Sequence, residues 1–147
     1  MRIKKELTLL LIALFLLGMA SQPQKVNLSE KIDKTLVEAI LSQLESAYER
    51  EDILGFKELI YKDFENYLGF ISKLENYFYS VKFLNLYLIL DTFLIDKDKV
   101  LVKIHWFKKT IDNSGAFSKS RGTAELAFKN TPQGLKLLYI RKDNPFF

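Results

Sequence analysis

The sequence predicts an α+β domain in which N-terminal helices pack on a four-stranded antiparallel sheet. Two observations carry this. Apolar residues recur at helical spacing up to about Phe78, then at strand spacing from Val81 onward. Short polar turns punctuate the second half, close enough for consecutive strands to pair as a meander. Helices first and strands after imply segregated layers, and an antiparallel sheet needs only one face covered.

Asn27, with Glu30 three residues on, reads as the start of the first helix. Leu28, Ile32, Leu36, Ile40 and Leu44 then recur every fourth residue, and Val37, Leu41, Ala47 and Tyr48 widen the stripe. This helix runs to about Arg50. Asp52 caps a second, shorter helix from Ile53 to Tyr61, with Phe56, Leu59 and Ile60 apolar. Lys62 to Gly69 reads as a loop. Phe70, Ile71, Leu74, Tyr77 and Phe78 fit a third helix.

Val81 to Ile95 reads as a long strand ending at the polar turn Asp96-Lys97-Asp98-Lys99. In the second strand Val100, Val102, Ile104 and Trp106 alternate with Lys103 and His105, giving two distinct faces. Asp112-Asn113-Ser114-Gly115 is a hairpin turn. Ala116 to Lys129 is the third strand. Thr131-Pro132-Gln133-Gly134 suits a type I turn, and Leu135 to Arg141 is the fourth strand.

The first twenty residues have a different character. Met1 to Lys5 is basic, Leu7 to Leu17 is almost wholly apolar, and Gly18-Met19-Ala20 places small residues before Ser21. This is the layout of a secretory signal peptide cut after Ala20. Its apolar run of roughly 14 residues is shorter than the ~20 that span a bilayer. The expected organisation is a signal peptide over 1–20, a short tether over 21–27 and one domain over 28–147. The expected location is outside the cytoplasm, in the periplasm.

The formal net charge is +4, and Arg2, Lys4 and Lys5 against Glu6 in the leader supply half of it. Such a mild bias lacks the dense basic stripe of a nucleic-acid binder. The chain has no cysteine, which excludes disulfides, a thiolate nucleophile, a Cys-ligated metal and a lipid-modified cysteine. Twelve Phe, seven Tyr and one Trp must then supply the core.

The segment Ala47-Tyr48-Glu49-Arg50-Glu51-Asp52-Ile53-Leu54-Gly55-Phe56 looks like a helix-acid-helix junction. With Tyr79-Ser80-Val81-Lys82, Gly122 to Phe128 and Gly134 to Ile140, it resembles the NTF2-like (cystatin-like cone, SnoaL-like) superfamily. The resemblance covers about residues 28 to 143. It implies a strongly curved sheet that wraps the first helix and leaves a conical cavity. Members include isomerases, dehydratases, transport adaptors and secretion-system subunits, so the fold alone names no activity. Set against ketosteroid isomerase, the oxyanion-hole Tyr falls on Leu44 and the base Asp on Leu68. The second acid falls near Ala124 or Glu125. Two of the three roles are lost.

The residues themselves offer several candidates. Trp106 shares a face with Val102 and Ile104 and points to the core. His105, the only histidine, lies on the other face with Phe107, and both are interface candidates. Asp91, in an apolar strand, is either a cavity acid or a bend facing water. Asn85 is in the same phase. Tyr77 and Tyr79 near the end of the third helix are candidates to line the pocket with Asn85, Asp91 and Trp106. Lys108, Lys109, Lys119 and Arg121 read as solvated sheet positions. Phe146 and Phe147 are expected to pack back on the helices or on a partner. One histidine and scattered carboxylates do not make a metal site, and no cofactor motif is present.

The function expected is an exported, non-catalytic domain that binds a partner protein or a small hydrophobic ligand in its cavity. A homodimer is compatible with this. The alternatives are a proton-transfer enzyme using Asp91, and a membrane-anchored assembly component that keeps its leader.

Overall fold

The computed structural model describes residues 31–147, so the leader, the tether and the expected helix start at Asn27 lie outside the described residues. Three helices precede an open, four-stranded antiparallel sheet. They are α1 (Lys34–Glu49), α2 (Ile53–Glu58) and α3 (Tyr67–Ser80). The strands are β1 (Val81–Asp96), β2 (Lys99–Asp112), β3 (Phe117–Thr131) and β4 (Gly134–Lys142), paired in chain order.

The first helix begins at Lys34, and the Asp33 side chain caps it by accepting from the Leu36 amide at 3.0 Å. Its buried face is Val37, Ile40, Leu41, Leu44, Ala47 and Tyr48, while Ile32 and Leu36 are only half-buried. A row taken every fourth residue drifts by about 40° per step on a 3.6-residue helix, which carries Leu36 and Ile32 off the core side. Asp52 caps α2 as expected, accepting from the Gly55 amide at 2.9 Å. The third helix starts at Tyr67, inside the stretch expected to be loop. Asn66 in the left-handed conformation (φ 54°) turns the chain into it.

The inner face of the sheet follows strand alternation. Val100, Val102, Ile104 and Trp106 on β2 are buried with Ala124, Leu126 and Phe128 on β3 and Leu84, Leu86 and Leu88 on β1. All of these belong to one core with the helices. Gly122 lies opposite Trp106, and a Cβ there would meet the indole at 2.8 Å, so the glycine makes room for the tryptophan. Gly134, with φ +98°, closes the β3–β4 turn in a conformation that suits glycine.

Part of each sheet edge is covered. On the β1 edge, Glu49 accepts from the Leu86 amide at 2.8 Å and Glu45 from the Leu88 amide at 2.5 Å. These carboxylates are one helical turn apart on α1, so they meet alternate amides of a strand lying beside it. Burial pushes the Glu45 carboxyl above its ordinary value, with the Leu88 amide pulling the other way. On the β4 edge, Leu137 exchanges backbone hydrogen bonds with Leu59 and Tyr61, and Ile60 forms a parallel bridge there. An edge with its amides satisfied is a poor template for a foreign strand.

Candidate functional site

Two regions carry chemistry or unusual surface: the interior of the cone, and the outer face of the sheet.

The interior is built on the segment after β4. Lys142, with φ 65°, turns the chain out of the strand. The Trp106 indole N–H then donates to the Asp143 carbonyl at 3.1 Å. The Asn144 side chain accepts from the Phe146 amide at 3.0 Å and shapes the next turn. Phe146 is wholly buried. Its ring lies 5.4 Å from Tyr48, 5.0 Å from Phe56 and 6.3 Å from Phe70, so it touches all three helices. The Tyr48 hydroxyl donates to the Phe146 carbonyl at 3.1 Å. Phe147 is half-buried against Phe70 and Tyr77, with the Lys73 ammonium 4.1 Å from its ring centre. The protein thus fills the space between helices and sheet with its own aromatic side chains.

Tyr77 and Trp106 both face this interior, and the residue they share is Lys108. Its ammonium stands 5.0 Å from the Tyr77 ring and 5.7 Å from the Trp106 ring. Lys108 is 4% exposed, and its Nζ has no hydrogen-bond partner among the described residues. Burial pulls its pKa down to about 8. This overturns the expectation that Lys108 is a solvated sheet residue. The alternation that puts Trp106 inside also puts Lys108 inside, so the signal was in the pattern and the charge masked it. Thr110, next on this face, is buried and lies 2.6 Å from the Ser118 hydroxyl. Burial pushes the Tyr48 phenol far up, and the Tyr77 phenol up as well, with the Tyr48 and Thr110 hydroxyls beside Tyr77 pulling the other way.

The other pocket candidates lie elsewhere. Tyr79 is 83% exposed. Two residues along a helix is about 200° of rotation, so Tyr77 and Tyr79 face opposite ways. Asn85 sits at the β1 edge, where its amide donates to Glu49 at 2.7 Å. Asp91 is on the outer face. The register of β1 against β2 shifts between Leu90 and Thr92, so Asp91 is the extra residue of a bulge. It meets His105 across the strands, Oδ1 to Nδ1 at 2.5 Å. The cavity-acid reading of Asp91 is therefore corrected to the bend facing water, and the enzyme built on it loses its acid.

His105 and Phe107 lie on that same outer face, their rings 6.0 Å apart. Tyr87 pairs with Phe107 and Ile89 with His105, so the four side chains form one patch. Tyr87, Ile89 and Phe107 are each more than two-fifths exposed. Lys103, Glu125 and Arg141 form a charged row across β2, β3 and β4 and, with Leu94, Leu101 and Tyr139, line a groove of about 480 Å³. Among the described residues no group of three or more His, Asp or Glu is placed to hold a metal.

No family model matches the sequence, and no curated protein matches it. Similarity to solved structures is clear. An NTF2-like superfamily protein from Salmonella enterica superposes with a TM-score of 0.61 at 12% identity, over 76% of this chain and 92% of that one. A candidate dehydratase of the NTF2-like family from Streptomyces avermitilis gives 0.62 at 15% identity, over 73% and 92%. The association domain of CaMKII from C. elegans gives 0.58 at 11% identity, over 76% and 95%. At these identities the likeness speaks for architecture alone, helices followed by an open four-stranded antiparallel sheet. The chain has the NTF2-like fold.

Proposed function

We propose that this protein is an exported, non-catalytic NTF2-like domain that binds a partner protein through the outer face of its sheet. The observation that carries this is where the apolar groups lie. The interior is filled by Phe146 and its neighbours, while Tyr87, Ile89 and Phe107 stand exposed together on the sheet. A contiguous exposed apolar patch with aromatic members and a charged border has the composition of a protein interface. The His105–Asp91 pair and the row of Lys103, Glu125 and Arg141 supply that border. The likeness to an association domain is in keeping with the reading. The proton-transfer alternative is weaker, since Asp91 is remote from the interior.

Phe107→Glu is the test. It places a charge at the centre of the patch while leaving the inner face of β2 untouched. If the face joins two copies, sedimentation shows a dimer for the parent and a monomer for the variant. If it takes another protein, the parent cross-links to that protein and the variant loses the adduct, with an affinity drop of at least tenfold. A variant with unchanged mass, unchanged adducts and an unchanged melting temperature overturns the proposal.

Export rests on the leader and has its own check. N-terminal sequencing of the protein recovered outside the cytoplasm should begin at Ser21. A product beginning at Met1 and staying with membranes would favour the anchored assembly component.

A further inference from the structure

Lys108 is the feature of the interior that a sheet-face interface leaves unused. Its ammonium can donate three hydrogen bonds, and among the described residues it makes none. No carboxylate lies within ion-pair distance of it among those residues. A buried cation with neither acceptor nor counter-charge is expensive, and Met or Leu would fill the same space without that cost. The missing partner is an anion.

The surroundings describe that anion. One ammonium balances one negative charge. The Tyr77 and Trp106 rings flank it with flat apolar surface. Thr110 and Ser118 lie on the same side of the sheet with their hydroxyls hydrogen-bonded to each other, so one of the pair keeps a proton free to donate to a ligand oxygen. Lys108 pairs with Ser120 and Thr110 with Ser118, and both serines are exposed. They are exposed because β4 pairs with β3 only from Ala124 onward, so this stretch of β3 has no outer neighbour. The half-buried Phe147 ring packs on Tyr77 and can swing aside without breaking a strand.

We infer that Lys108 anchors the carboxylate of a small, flat, apolar carboxylic acid that passes Ser118 and Ser120 and lies against Tyr77 and Trp106, displacing the Phe147 ring. The site is separate from the outer sheet face and does not depend on it. It is a binding site with no covalent step.

Trp106 is the only tryptophan, so its indole N–H gives one assignable NMR signal at the site. Benzoate, benzamide and inorganic phosphate are titrated into the full chain. Benzoate should shift the indole signal saturably and bind at least tenfold more tightly than benzamide, which has the same shape and no charge. Phosphate at equal concentration should leave the signal in place. Lys108→Met should weaken benzoate at least tenfold while its urea midpoint stays at or above that of the parent. Phe147→Ala should tighten benzoate severalfold. The inference is overturned if benzoate gives no saturable shift, if benzamide binds as well, or if Lys108→Met binds benzoate like the parent. Phosphate binding as tightly as benzoate overturns the carboxylic-acid class and leaves an inorganic-anion site.

Discussion

Replacing Phe146 with alanine should cost about 3–5 kcal/mol of folding stability, the usual toll for emptying a large aromatic site that cannot collapse. Phe146 is fully buried and packs against rings from α1, α2 and α3 at once. Few neighbours can move into the space, because each belongs to a different helix. Since whole domains are stable by only about 5–15 kcal/mol, the variant should be close to unfolding at room temperature. Urea denaturation followed by Trp106 fluorescence gives the number, and Trp106 reports directly because its indole is bound to Asp143 in the same segment. Phe147→Ala, at a half-buried position, should cost about 1–2 kcal/mol at most. A loss under about 1 kcal/mol for Phe146→Ala would mean that the last segment is an appendage and not part of the core.

Lys108→Met should have the opposite sign. Burial holds the folded-state pKa near about 8, well below the ordinary 10.5 of an unfolded chain. Below pH 8 both states are protonated, and the folded state carries the whole cost of a buried charge. Between about 8 and 10.5 the unfolded chain keeps a proton that the folded one has released, so stability rises with pH across that window. At about 1.36 kcal/mol per pKa unit the cost is on the order of 3 kcal/mol at neutral pH. Cation–π contact with Tyr77 and Trp106 offsets part of it, and methionine gives that contact up. The expected net gain on substitution is about 1–3 kcal/mol at pH 7, shrinking as pH rises through 8 to 10. Tyr48 and Tyr77, the titratable neighbours from α1 and α3, have pKa values raised by burial, and their contribution is common to parent and variant. The difference between parent and variant urea midpoints at pH 7, 8 and 9 therefore isolates Lys108. Equal midpoints at pH 7 would show that its charge meets solvent.

These two residues also mark the limits of what could be read from the chain. The α+β order, the four strands and their turns follow from local pattern, because apolar spacing and turn chemistry act over a few residues. The inward face of Trp106 and the outward face of His105 follow from alternation for the same reason. Asp52 as the cap of α2 needed only its own neighbours. Tyr79 was misplaced because an aromatic cluster says nothing of rotation about the helix axis, which sends it opposite to Tyr77. Asp91 was ambiguous because a bulge depends on the register between two strands. Lys108 was misread because charge outweighed phase.

Element order and the alternation along each strand are local properties and legible in the chain. What remains is set by contacts between residues far apart in it. Glu45 and Glu49 on α1 satisfy amides of β1 some 40 residues away. Phe146 closes against Tyr48 across 98 residues. Among the described residues the Lys108 ammonium, beside the Tyr77 and Trp106 rings, is left without a hydrogen-bond partner. Such contacts join residues distant along the chain, and whether a charge is paired, a cavity filled or an edge covered depends on which groups the fold brings to that place.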